Sequence, residues 1–119
     1  MASYQDLLAE VKSQIHEISA ADAAARLSSD EPPVLVDVRE PDDFERDAIP
    51  GSVSVPYRLA RQAAEDGLGD GRPVVTICET GARAAIAASV LRAGGVDARP
   101  VLDGGLREWR RRHASLSDG

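Results

Sequence analysis

Residues 74 to 91 read Val-Val-Thr-Ile-Cys-Glu-Thr-Gly-Ala-Arg-Ala-Ala-Ile-Ala-Ala-Ser-Val-Leu, and this stretch admits few folds. Val74 to Ile77, introduced by Pro73, is a short β-branched run with the composition of a buried parallel strand. Ala82 to Leu91 is alanine-rich with apolar residues at helical spacing. A strand therefore runs through one short loop into a helix. Cys78, the only cysteine of the 119-residue chain, sits where the strand ends and just before the helix begins. That is the place where open α/β sheets bind ligands and where unpaired backbone N–H groups favour an anion.

The residues around Cys78 suit a reactive thiol. A lone cysteine would read as a small buried hydrophobe. Here the helix N-terminus and Arg83, five residues on, both favour the thiolate, which is the nucleophilic form. Gly81 lets the loop turn so that successive amides point inward, forming a nest for an anion or a second sulfur atom.

The rest of the chain alternates in the same way. Tyr4 to Ile15 carries Leu7, Leu8, Val11 and Ile15 at helical spacing, which predicts an amphipathic helix whose stripe packs on the domain or docks a partner. Ser19 is placed to cap a helix over Ala20 to Leu27. Ser28 to Pro33 breaks it and leads to Val34-Leu-Val-Asp-Val38, a near-continuous apolar run expected as a central strand. Pro41, Asp42 and Asp43 open a short helix that should carry Phe44 toward the core. A short strand over 53–55, a segment from Pro56 to Arg61, a polar loop over 65–72, a last strand over 98–102 and a final helix with Leu106 and Trp109 inward complete the pattern. Pro100 implies an edge or irregular position for the last strand. The alternation specifies one parallel sheet with helices on both faces.

Charge and composition narrow the function. Fourteen Lys and Arg stand against 20 Asp and Glu, a net charge of −6, which argues against nucleic-acid binding because phosphate neutralisation needs a basic stripe. The basic run Arg107, Arg110, Arg111 and Arg112 is expected to complement the C-terminal end of the last helix. One cysteine closes no internal disulfide, the start of the chain has neither a basic nor an apolar leader region, and no apolar run is long enough for a membrane span. A cytoplasmic protein is expected, with no membrane partner. No cysteine pair or histidine spacing suggests a metal, and His16 and His113 lie far along the chain from the Cys78 loop.

The loop Cys78-Glu-Thr-Gly81-Ala-Arg83 resembles the active-site loop of rhodanese (sulfurtransferase) domains, Cys-x-x-Gly-x-Arg. Three more segments occur in that family's order: Leu35-Val-Asp37-Val-Arg39-Glu40 with Phe44 after it, Ile49-Pro50-Gly51-Ser52, and Leu102-Asp-Gly104-Gly105 followed by Trp109. The resemblance implies a rhodanese-like three-layer α/β sandwich over 16–113, preceded by a helical extension over 1–15 and followed by a tail over 114–119. Ala48 stands where the family usually has histidine, and Ala84 where it commonly has Ser or Thr.

The resemblance also implies a chemistry. Cys78 would attack the outer sulfur of a donor such as thiosulfate and carry a persulfide to a thiol or cyanide acceptor, with no cofactor. Glu79, Thr80, Gly81, Ala82 and Arg83 would form the loop that binds substrate and persulfide, while Asp37 and Arg39 would give structural support. Tyr57, Arg58 and Arg61 are candidates for the rim that attracts an anionic donor. Cell-cycle phosphatases share the architecture with one more loop residue, so four residues between Cys78 and Arg83 favour sulfur over a phosphoryl group. Two other readings stand beside the enzyme: a carrier or regulatory module that takes sulfur from a relay partner, and a redox sensor through a Cys78 sulfenic acid or mixed disulfide. Glu79 places a negative charge in a loop meant for an anion, which disfavours free thiosulfate.

Overall fold

The computed structural model describes residues 17–102 and 105–112. The expected helix over Tyr4 to Ile15, His16, the Asp103-Gly104 turn, His113 and the tail lie outside the described residues. Within them the order is α1 (Ala20–Leu27), β1 (Val34–Asp37), α2 (Pro41–Arg46), β2 (Val53–Ser54), a 3-10 turn (Tyr57–Leu59), α3 (Ala60–Glu65), β3 (Val74–Ile77), α4 (Ala82–Ala93), β4 (Ala98–Pro100) and α5 (Gly105–Arg112). All four strands are parallel, in the order β2-β1-β3-β4. The expected α/β fold with helices on both faces is the one observed.

Side-chain alternation along the strands builds two apolar layers. Leu35, Val75, Ile77 and Val101 face one side, where they meet Ala20 and Ala23 of α1 and Leu106 and Trp109 of α5. Val36, Val38, Val74, Cys78 and Ala98 face the other, against Ala60 of α3 and Ala84, Ala87, Ala88 and Leu91 of α4. The alanines of α4 let that helix lie close on the strands. Thr76 sits among them fully buried, and its hydroxyl donates to the carbonyl of Ala84 at 2.8 Å, fixing the first turn of α4 over the end of β3.

Local signals set the boundaries. Ser19 Oγ accepts from the Asp22 amide at 3.0 Å and starts α1. Gly94 ends α4, and its amide returns to the carbonyls of Val90 and Leu91. β4 is an edge strand, as Pro100 required, and its outer side is met by Ile18, whose amide donates to the Pro100 carbonyl at 3.0 Å. Several expectations change: β2 ends at Ser54 where 53–55 is expected, and β4 ends at Pro100 where 98–102 is expected. Glu65 closes α3 instead of opening the polar loop. Phe44 is only half-buried and α2 buries no residue, because this six-residue helix lies at the end of the sheet and not on a face of it.

The strand order reverses between β1 and β3, whose carboxyl ends lie side by side in register, Asp37 beside Ile77. At such a reversal the following connections leave in opposite directions and open a crevice. Arg39 follows the end of β1 and Cys78 follows the end of β3.

Candidate active site

Cys78 lies at the floor of a cavity of about 630 Å³ over that crevice. Its side chain is 2% exposed, and its sulfur accepts the Gly81 amide at 3.0 Å and the Ala84 amide at 3.4 Å. Both amides belong to the loop and first turn of α4, where no intrahelical acceptor is available to them, so the helix end and the loop aim donors at one sulfur. At position 84 it is thus the backbone that faces the sulfur.

Glycine makes this approach possible twice. Gly81 has φ +121°, and a Cβ there would fall on the carbonyl of Leu102. Gly105 has φ +48°, and a Cβ would fall on the carbonyl of Cys78. From that close start α5 donates the Leu106 amide to the Cys78 carbonyl at 2.8 Å and the Arg107 amide to the Glu79 carbonyl at 3.3 Å. The loop is therefore held between α4 on one side and the N-terminus of α5 on the other.

One wall of the cavity is ionic. Arg39 is buried and grips the equally buried Asp37 with Nε at 3.1 Å and Nη2 at 2.8 Å, then reaches Asp47 Oδ1 with Nη1 at 3.2 Å and the Asp47 carbonyl with Nη2 at 2.5 Å. Burial disfavours the charge on Arg39, but its bonds to Asp37 and then Asp47 outweigh that and raise its pKa. Arg110 of α5 completes the wall, donating to Glu79 Oε1 at 2.5 Å and to Asp47 Oδ2 at 2.7 Å. The bond to Glu79 is the main cause holding Arg110 above the ordinary guanidinium pKa. Burial works against the Asp47 carboxylate, yet the hydrogen bond from Arg39 and the charge of Arg110 bring its pKa below the usual value.

The residues singled out in the sequence divide clearly. Cys78, Glu79, Thr80, Ala82 and Arg83 line the cavity, with Gly81 buried behind the loop. Arg83 is exposed and lies over the ring of Tyr57, 5.6 Å from its centroid, so Tyr57 supports the rim through Arg83. Arg58 is turned to Glu40 at 3.1 Å and Arg61 lies 3.8 Å from Glu65; neither lines the cavity, because each finds a carboxylate on the outer surface. Asp37 and Arg39 form a buried pair. Asp47, Arg46, Asp43 and Arg110 also line the cavity and carried no signal in the linear pattern of the loop. For Arg110 a signal existed: it follows Leu106 by four and Trp109 by one, which sets it beside the buried stripe of α5.

Among the described residues no helix is long and apolar enough to cross a membrane, and no group of three or more His, Cys, Asp or Glu is arranged to hold a metal.

Comparison with known proteins agrees with this architecture. The sequence model of the rhodanese-like domain matches residues 19–112. A sulfurtransferase of Allochromatium vinosum is 30% identical over 97 residues, 82% of this chain and 90% of that protein. The "Putative sulfur carrier protein YrkF" of Bacillus subtilis is 31% identical over 100 residues, 84% of this chain but 54% of that protein, so the chain spans about half of that relative's length. Among solved structures, a Rhodopseudomonas palustris protein of unknown function, described as a possible tyrosine phosphatase, superposes with a TM-score of 0.76 at 28% identity, over 95% of this chain and 92% of that one.

Proposed function

The chain belongs to the rhodanese-like domain family of sulfurtransferases and sulfur carriers, and from that premise we propose that Cys78 takes a sulfane sulfur from a donor such as thiosulfate and delivers it to an acceptor thiol or cyanide. The Cys78 thiolate attacks the outer sulfur, the S–S bond of thiosulfate breaks, and sulfite leaves with the electron pair. The resulting persulfide anion is then attacked at its terminal sulfur by cyanide, giving thiocyanate and the free thiolate. The balance closes without a redox partner or a cofactor.

The observation that carries this reading is the pair of amide donors, Gly81 and Ala84, on a single sulfur at the floor of an open cavity. Such donors stabilise an anionic sulfur before and after transfer. Four residues separate Cys78 from Arg83, and Arg83 turns onto Tyr57. This cradle suits a sulfur atom better than a phosphoryl group, so the phosphatase description of the R. palustris neighbour is not carried over. A chemistry that depends on a free thiol fits the cytoplasm, where thiols stay reduced. The test is thiocyanate formation from thiosulfate and cyanide, with Cys78→Ser as control: the reading requires turnover in the native chain and none in the variant.

The charge of the cavity favours a second reading, a carrier loaded by a relay protein. Arg39, Arg46 and Arg110 each face a carboxylate within 4 Å, and among the described residues Arg83 is the lining arginine with no carboxylate partner. A small dianion therefore meets a nearly neutral mouth, whereas a protein persulfide brings its own contacts. Loading by a persulfidated protein much faster than by thiosulfate would select the carrier.

A further inference from the structure

Glu79 is the first residue after the reacting cysteine, and its carboxylate is the one negative charge on the sulfur loop itself. Arg110 binds it at 2.5 Å, while Arg39, 3.8 Å away, already spends its donors on Asp37 and Asp47. Arg110 also holds Asp47 at 2.7 Å, so its guanidinium fastens Glu79 to the Arg39–Asp47 wall. Backbone bonds set the two sides of the clamp together, since the Leu106 and Arg107 amides at the start of α5 donate to the carbonyls of Cys78 and Glu79. Arg110 lies one turn further along the same helix.

We propose that Arg110 is a positioning residue of the Cys78 loop: by clamping the Glu79 carboxylate to the cavity wall it keeps the loop's own acid from opposing an anionic reactant at the sulfur. Arg110 thereby sets which charges the loop accepts. In the absence of the clamp, Glu79 one residue from the thiolate faces only Arg39, which Asp37 and Asp47 already neutralise, and anionic reactants are disfavoured relative to neutral ones. The assignment rests on Cys78 being the reacting thiol, but its test does not pass through sulfur transfer.

Cys78 is the only thiol, so the ratio of its alkylation rates with anionic iodoacetate and neutral iodoacetamide reads charge at the sulfur. Four full-length proteins are compared: native, Arg110→Gln, Glu79→Gln and the double variant. Arg110→Gln should lower the ratio about fivefold in the native background and less than about twofold when Glu79 is already Gln. An equal fall in both backgrounds would mean that Arg110 acts through its own charge, and would overturn the proposal. So would an unchanged ratio, including one in which both rates fall together, as expected of a merely structural arginine. A Cys78 that neither reagent reaches in the folded native chain would contradict the premise of a reacting thiol, and the assignment with it.

Discussion

The Gly81 amide donates to the sulfur of Cys78 at 3.0 Å from a backbone conformation, φ +121°, that side chains with a Cβ rarely adopt. The same residue faces the Leu102 carbonyl where a Cβ would be. Gly81→Ala should lower stability by about 1–3 kcal/mol through backbone strain alone. Because relief of the collision displaces the amide, thiosulfate turnover should drop by about tenfold or more, equivalent to about 1.4 kcal/mol at the transition state. Denaturant unfolding and steady-state assay read the two effects separately.

Asp37 and Arg39 form a pair in which both side chains are at least 95% buried. Removal of the Asp37 charge leaves the buried Arg39 with its bonds to the half-buried Asp47 alone, so Asp37→Asn should destabilise the chain by about 3 kcal/mol, the low end for a broken buried pair. Urea unfolding of the purified variant measures it. A loss under about 1 kcal/mol, the value of an exposed pair, would contradict the buried geometry.

Asp47 sets an acid limit on the fold. Its pKa is lower folded than unfolded, so its pairing with Arg39 and Arg110 contributes fully above the ordinary carboxylate value of about 3.9 and is lost as pH falls through the lower folded value. Asp47→Asn should be less stable than native at neutral pH, with the difference shrinking below about pH 4. Unfolding free energies across the acid range test the sign: a gap that widens with acid would refute it.

Glu79 read from the sequence opposes an anionic donor, and Arg110 tempers that opposition. Glu79→Gln should therefore raise kcat/KM for thiosulfate only about two- to threefold, and the gain should shrink in high salt. A tenfold gain would show an uncompensated carboxylate. A loss would show that Glu79 serves the donor.

Much of the fold was legible because local signals and periodicity agreed. The β-branched run and the alanine-rich helix each point to one structure at residues 74–91, and there the structure follows, with the helix running on to Ala93. The meeting of Cys78, Gly81 and Arg83 in one loop was legible for the same reason, since it depends on short offsets; the turn of Arg83 away onto Tyr57 was not, and the sulfur's donors are the Gly81 and Ala84 amides. The ionic wall was not. Arg110 stands 63 residues from Asp47 and 31 from Glu79, and only the placement of the α5 N-terminus against Cys78 brings them together. Its place in a basic run suggested a partner for the end of its own helix, and the tertiary fold directed it elsewhere. Arg58 and Arg61 failed to reach the cavity for the converse reason, since nearby acids hold them on the outer surface.

A sulfur atom carried by Cys78 is the central intermediate of the proposed transfer, and intact mass after incubation with thiosulfate and removal of the donor tests it most directly. The native chain should gain the mass of one sulfur atom, lose it on addition of cyanide, and show no gain when Cys78 is replaced by Ser. A native chain that gains no sulfur from thiosulfate or from a persulfidated protein donor, or a Cys78→Ser chain that does, would contradict it.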